Sequence, residues 1–174
     1  MEKDALIALA ALVGSRATNK GSTLHGPQHW RCVSLVGIRL ARLTPGADPL
    51  VASLFGLFHD AGRVNDGDDP DHGRRGARLL REMAASGELG IPPEILEEVA
   101  FACATHTEAG STSDPAIGAC YDADRLNLWR EGIRPLPRYL STAAGKGMIE
   151  ECHELHWTPL TWKRVVDELF ATES

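Results

Sequence analysis

Residues 50–63 read LVASLFGLFHDAGR, and the run from Leu50 to Phe58 is apolar on almost every side. A helix with no polar face has to be buried against other elements. This one ends in an adjacent imidazole and carboxylate, His59-Asp60. A charge beside buried surface is costly unless it finds a partner or changes its protonation. The fold must therefore bury a hydrophobic helix and also satisfy a polar pair at its end.

The rest of the chain reads as helices around that one. Asp48-Pro49, Pro92-Pro93-Glu94, Asp114-Pro115 and Thr158-Pro159 each look like a helix start, because proline at the first helical position gives up an N–H that needs no partner. Between them lie segments of helical period, with no strand-like alternation. The pattern predicts helices over 2–14, 28–43, 49–61, 72–86, 93–107, 115–130 and 159–171, and a shorter one around 137–150. The expected fold is all-α, a compact single domain over 1–174 with no significant sheet. A length of 174 residues suits one core.

Bulk properties narrow the partners. The net charge of −6 argues against a nucleic-acid duplex and leaves small anionic molecules open. The opening MEKDALIALAALVG carries Glu2 and Asp4 before a short apolar run, which reads as a first amphipathic helix rather than a signal or a membrane span. Four scattered cysteines without a CxxC pair suit core thiols in a reducing cytoplasm.

Extending the apolar stripes lands on polar residues. The stripe Val33, Val36, Leu40, Leu43 runs back to His29, and Ile95, Val99, Ala102 runs forward to His106. Ile117, Cys120 and Tyr121 lead to Asp124; Gly76, Leu79 and Met83 follow His72; Leu50, Leu54 and Leu57 lead into His59-Asp60. A lone inward histidine is ordinarily a hydrogen-bonded core residue. Four histidines and two aspartates converging from separate helices fit a metal site better, since imidazole and carboxylate together suit Zn, Mn, Fe or Ni and helical bundles build such sites from inward side chains.

These residues in this order resemble the HD superfamily of metal-dependent phosphohydrolases. The pattern of a His, then His-Asp, then a distant Asp falls on His29, His59-Asp60 and Asp124, in the context YDADRLNL, and the resemblance covers about 25–145 with flanking helices outside it. Two-metal members add two histidines between the pair and the last Asp. The segments HGRRGARL at His72 and THTE at His106 match those in outline, with Gly73 where the HPxxGxxL form has Pro and Thr105 for the first His of HHE. The resemblance implies one metal on His29, His59, Asp60 and Asp124 and another on Asp60, His72 and His106. The GYP signature of the cyclic-dinucleotide phosphodiesterases is missing after THTE, so that substrate is not supported.

The activity implied is hydrolysis of a phosphate ester of a small phosphorylated or nucleotide-like metabolite by metal-bound hydroxide. One or two divalent ions are expected, Fe or Mn first, with Ni, Co or Zn also suitable. HDAGR stands where the family's phosphatases have HDxGK, which gives Arg63 two readings: a fork for substrate phosphate or a charge at a helix C-terminus. His25 reads as a loop histidine or a residue at the pocket mouth, and Lys20 as a solvated lysine or an anion contact. The acidic loop 66–71 reads as solvated turns, CHELH (Cys152, His153, His156) as surface, and Arg125, Arg134 and Arg138 as surface charge or a cationic rim. Two rival functions share the ligand outline: a mixed-valent di-iron oxygenase and a metal-containing nucleotide-binding regulatory module.

Overall fold

The structure, a computed structural model, describes residues 1–171 apart from the side chain of His156. Its α-helices are α1 (Lys3–Arg16), α2 (Pro27–Leu43), α3 (Pro49–Phe58), α4 (His72–Ala85), α5 (Pro93–Thr105), α6 (Pro115–Leu126), α7 (Ala143–Gly147), α8 (Glu151–Trp157) and α9 (Trp162–Leu169), with 3₁₀ turns at Asn127–Glu131 and Pro137–Tyr139. No strand occurs among the described residues.

The apolar run takes the central place its composition demands. Val51, Ala52, Leu54, Phe55, Leu57 and Phe58 of α3 are all buried, with α2 along one side and α5 and α6 on others. The α2–α3 pair is close because Gly56 has no side chain: a Cβ there would collide with the backbone and hydroxyl of Ser34. Ser34 Oγ then donates to the Ser53 carbonyl at 2.9 Å. The helices α4 and α5 form a hairpin laid against α3, while α1 and α9 pack together on the outside.

Two proline starts are capped as expected. Asp48 accepts from Leu50 N at 2.7 Å, and Asp114 accepts from Ala116 N and Ile117 N at 3.0 Å; such a cap is worth about 1 kcal/mol. Thr158-Pro159 does not open a helix. Gln28 holds that segment extended, donating to the Thr158 carbonyl at 2.8 Å and accepting from Leu160 N at 3.3 Å, so α9 starts later behind Thr161, which accepts from Arg164 N.

Other boundaries differ too. The predicted 49–61 helix ends at Phe58, and 115–130 tightens into a 3₁₀ turn after Leu126. The helix expected around 137–150 divides because buried Asp122 takes the N–H groups of Ser141 and Thr142 and the Thr142 hydroxyl at 2.7–2.8 Å. The helix α8 was not anticipated, since its cap residue Glu150 makes no side-chain cap. Leu43 is exposed, so its stripe ends at Leu40, and in α4 the inward residue is Leu80 rather than Leu79.

Candidate metal centre

Six side chains from five helices meet at one end of the bundle. His29 lies in the first turn of α2, His59 caps α3 with Asp60 beside it, His72 opens α4, His106 caps α5, and Asp124 is in α6. They fall into two groups of donor atoms: His29, His59 and Asp124; and Asp60, His72 and His106. In the first, His29 Nε2 is 3.1 Å from His59 Nε2 and 3.3 Å from Asp124 Oδ1. In the second, His72 Nε2 is 3.0 Å from His106 Nε2 and 3.2 Å from Asp60 Oδ1. The other oxygen of Asp60, Oδ2, faces the first group, 3.5 Å from His29 Nε2 and 3.6 Å from His59 Nε2. One carboxylate therefore joins the two.

Three of the four histidines are oriented by the same local device. The Nδ1 atoms of His59, His72 and His106 lie 3.1, 2.5 and 2.8 Å from the carbonyls of Gly56, Asp69 and Cys103, each three residues back. A carbonyl only accepts, so each Nδ1 carries the proton and each Nε2 presents a lone pair. Phe55 supports two of the rings, stacked on His59 at 5.0 Å and edge-on to His106 at 5.7 Å. Gly73 lets α4 close on α5, because a Cβ there would strike the Cys103 carbonyl and the His106 ring.

Protonation favours ligation. Burial pushes His59 and His106 down to about 4 and His29 well below the usual imidazole range, Arg130 adding to the effect on His29. Burial alone would raise the Asp124 carboxyl, but its hydrogen bond with His29 and the Arg130 guanidinium hold it well below the carboxylate range. The site thus offers neutral imidazoles and an ionised carboxylate. His72 and His106 point two lone pairs at each other across 3.0 Å, an arrangement that a cation between them relieves. Bonds of about 2.1 Å put adjacent ligands about 3.0–3.4 Å apart, which the His29–His59, His29–Asp124, His72–His106 and His72–Asp60 pairs match, while His59 and Asp124 stand wider at 3.8 Å.

A pocket of about 440 Å³ opens over the centre, with Asp60, His72, His106 and Asp124 in its lining beside His25, Arg63 and Arg130. Arg63 Nε donates to Asp60 Oδ1 at 3.3 Å, and its Nη1 is held by the carbonyls of Asn65 and Gly67. His25 is buried, and burial takes it to about 4 despite the opposing pull of Asp60; its approaches to Asp66 and Glu131 are therefore contacts of a neutral ring. Lys20 is exposed and lies outside the pocket lining.

Arg130 was not singled out from the sequence. Its side chain is 5% exposed, with Nη1 3.8 Å from Asp124 Oδ1 and Nη2 3.1 Å from Glu131, while Nε and Nη1 are buried without a hydrogen-bond partner. Had α6 continued to 130, Arg130 would sit about 120° around the axis from Asp124; ideal 3₁₀ winding after Leu126 cuts that offset to about 40°.

The other polar residues have partners of their own. Asp69 is not a solvated turn residue: it is buried and accepts from Arg75 at 2.5 Å and from Val64 N at 3.0 Å. Asp66 ties Asn19 and Ser22 at 2.8 and 2.5 Å. Arg125 bonds the carbonyls of Ala109, Gly110 and Tyr139, Arg134 pairs with Glu150, and Arg138 lies over Tyr139. His153 packs on Trp129, Cys152 is buried, and the side chain of His156 lies outside the described residues.

With this geometry in place, comparison gives a family. The HD domain family matches residues 28–143, which include all six donors, and the chain belongs to it. That family consists mostly of metal-dependent hydrolases. Neither the curated proteins nor the solved structures give a significant match. Among the described residues no helix is long and apolar enough to cross a membrane.

Proposed function

We propose that the chain is a two-metal phosphohydrolase acting on a small phosphorylated or nucleotide-like metabolite, with iron or manganese as its ions. The observation that carries this reading is Asp60, whose two oxygens face separate histidine groups beneath a pocket lined by Arg63, Arg125 and Arg130. Divalent cations in such a site supply an acidified water and positive charge against phosphoryl oxygens.

The chain's own residues do the rest. His59, His72 and His106 keep their protons at Nδ1, on the backbone carbonyls, so that Nε2 is free to ligate. Arg63 fixes the bridging carboxylate through Oδ1. Arg130, whose Nη2 meets Glu131 but whose Nε and Nη1 lack acceptors, receives the anionic group of the substrate; buried guanidinium N–H groups without acceptors are costly and gain from an anion. His25 lines the same pocket and contacts the substrate as a neutral ring.

Phosphate release from a panel of phosphomonoesters with manganese-loaded protein tests the reading. The expected result is turnover that His59→Ala and Asp60→Ala abolish while circular dichroism stays native. Oxygen consumption by iron-loaded protein, without phosphate release, would instead establish the oxygenase, which uses the same donors. Tight nucleotide binding without turnover would establish the regulatory module.

A further inference from the structure

Beside the metal-facing pocket lies a second cavity of about 350 Å³ that the proposed hydrolysis does not use. Its walls are mostly apolar, contributed by Leu128, Ile133, Pro135, Leu136 and Tyr139. Ile133, Leu136 and Tyr139 are 51%, 39% and 57% exposed, so three large apolar side chains stand in water around one hollow. Contiguous exposed apolar surface of this kind marks a binding site more often than chance.

The charged groups around the cavity are already engaged. The Arg125 guanidinium bonds the Tyr139, Ala109 and Gly110 carbonyls at 2.8, 2.6 and 3.1 Å, and Arg134 is paired with Glu150. The cavity therefore offers little to an ion or to the hydrogen-bonding edge of a nucleobase, and a good deal to a hydrocarbon. Thr107, Arg125 and Leu128 line both this cavity and the metal-facing pocket. Thr107 is exposed, so the two hollows adjoin across a ridge that reaches the surface.

We infer that the second cavity is the subsite for the apolar part of the same substrate, which makes the substrate an amphiphile: a phosphoryl head over Asp60 and Arg130, and an aliphatic or aromatic body against Leu136 and Ile133. This inference rests on the phosphohydrolase reading above and narrows its substrate class. Occupation follows from continuity: a body attached to a head in the first pocket has the second as its adjoining apolar surface.

Calorimetric titration of manganese-loaded protein with methyl-, butyl- and hexylphosphonate tests it without requiring turnover. The expected result is affinity that rises with chain length, by up to about fourfold per methylene, and a Leu136→Asp variant in which that dependence is lost. Equal affinity along the series overturns the subsite and leaves the phosphate-binding centre standing. Binding by none of the three overturns both. A flat series together with light scattering that shows a dimer converted to monomer by Leu136→Asp assigns the apolar surface to contact between copies, and also overturns the inference.

Discussion

The two halves of the centre use the same side chains but are built differently. The His72–His106 half is rigidly specified: both Nδ1 atoms are held by backbone carbonyls, so two lone pairs face each other at 3.0 Å. The His29–Asp124 half is not. His29 Nδ1 has no hydrogen-bond partner, and the carbonyl three residues back, on Gly26, accepts from Trp30 N instead. A proton on His29 Nε2 can therefore be shared with Asp124 Oδ1, 3.3 Å away. One half can share a proton between His29 and Asp124. In the other the Thr107 hydroxyl lies 3.3 and 3.4 Å from the two Nε2 atoms, and one hydroxyl hydrogen serves only one of them, whereas a cation takes both lone pairs. The lesson is that ligand identity does not fix how strongly a site calls for metal; the hydrogen bond at the far side of each ring does.

The largest effect should come from the residue the halves share. Asp60→Ala is expected to empty both, with metal content falling toward zero and kcat/KM dropping more than about 10²-fold, beyond the range typical of groups that only support a ligand. Metal analysis of the purified variant checks this, and loss from one half alone would show that Asp60 does not bridge.

Gly73→Ala separates the halves. The added methyl meets the Cys103 carbonyl and the His106 ring, so α4 must back away from α5 at a cost of about 1–3 kcal/mol. Thermal unfolding should report that loss, and metal content should fall by about one equivalent. Arg130→Gln should keep both metals and lower kcat/KM by roughly 10–100-fold, the worth of a hydrogen bond to a charged group, with the change appearing mainly in KM.

The smallest effect is on metal-free protein. His25, His59 and His106 stay neutral to about 4 when folded, whereas the unfolded chain takes up protons near 6.5. The unfolded state then binds more protons below 6.5, so stability is fullest above that pH and declines as pH falls toward 4. The midpoint of thermal unfolding of chelator-treated protein, followed from pH 7.5 to 5, should decrease in that direction; an increase would mean these rings are charged in the folded state.

The central helix and its terminal pair were legible because an all-round apolar run has one possible place in a fold, and Asp124 because a carboxylate in an apolar stripe is conspicuous. Arg130 was not legible, since its position depends on a helix tightening after Leu126, which no periodicity reports. The meaning of Gly73 was hidden for a related reason: the residue matters through the Cys103 carbonyl of another helix. The start of α9 was misplaced because the amide of Gln28, 130 residues from Thr158 in sequence, outweighs a local proline signal. Local chemistry was readable where one helix decides the outcome and obscure where two must meet.

Elemental mass spectrometry of protein purified anaerobically without chelator tests the account most directly. Two equivalents of a transition metal per chain are expected, falling to one in His72→Ala with the fold retained. A single equivalent that His72→Ala leaves unchanged would contradict the paired centre.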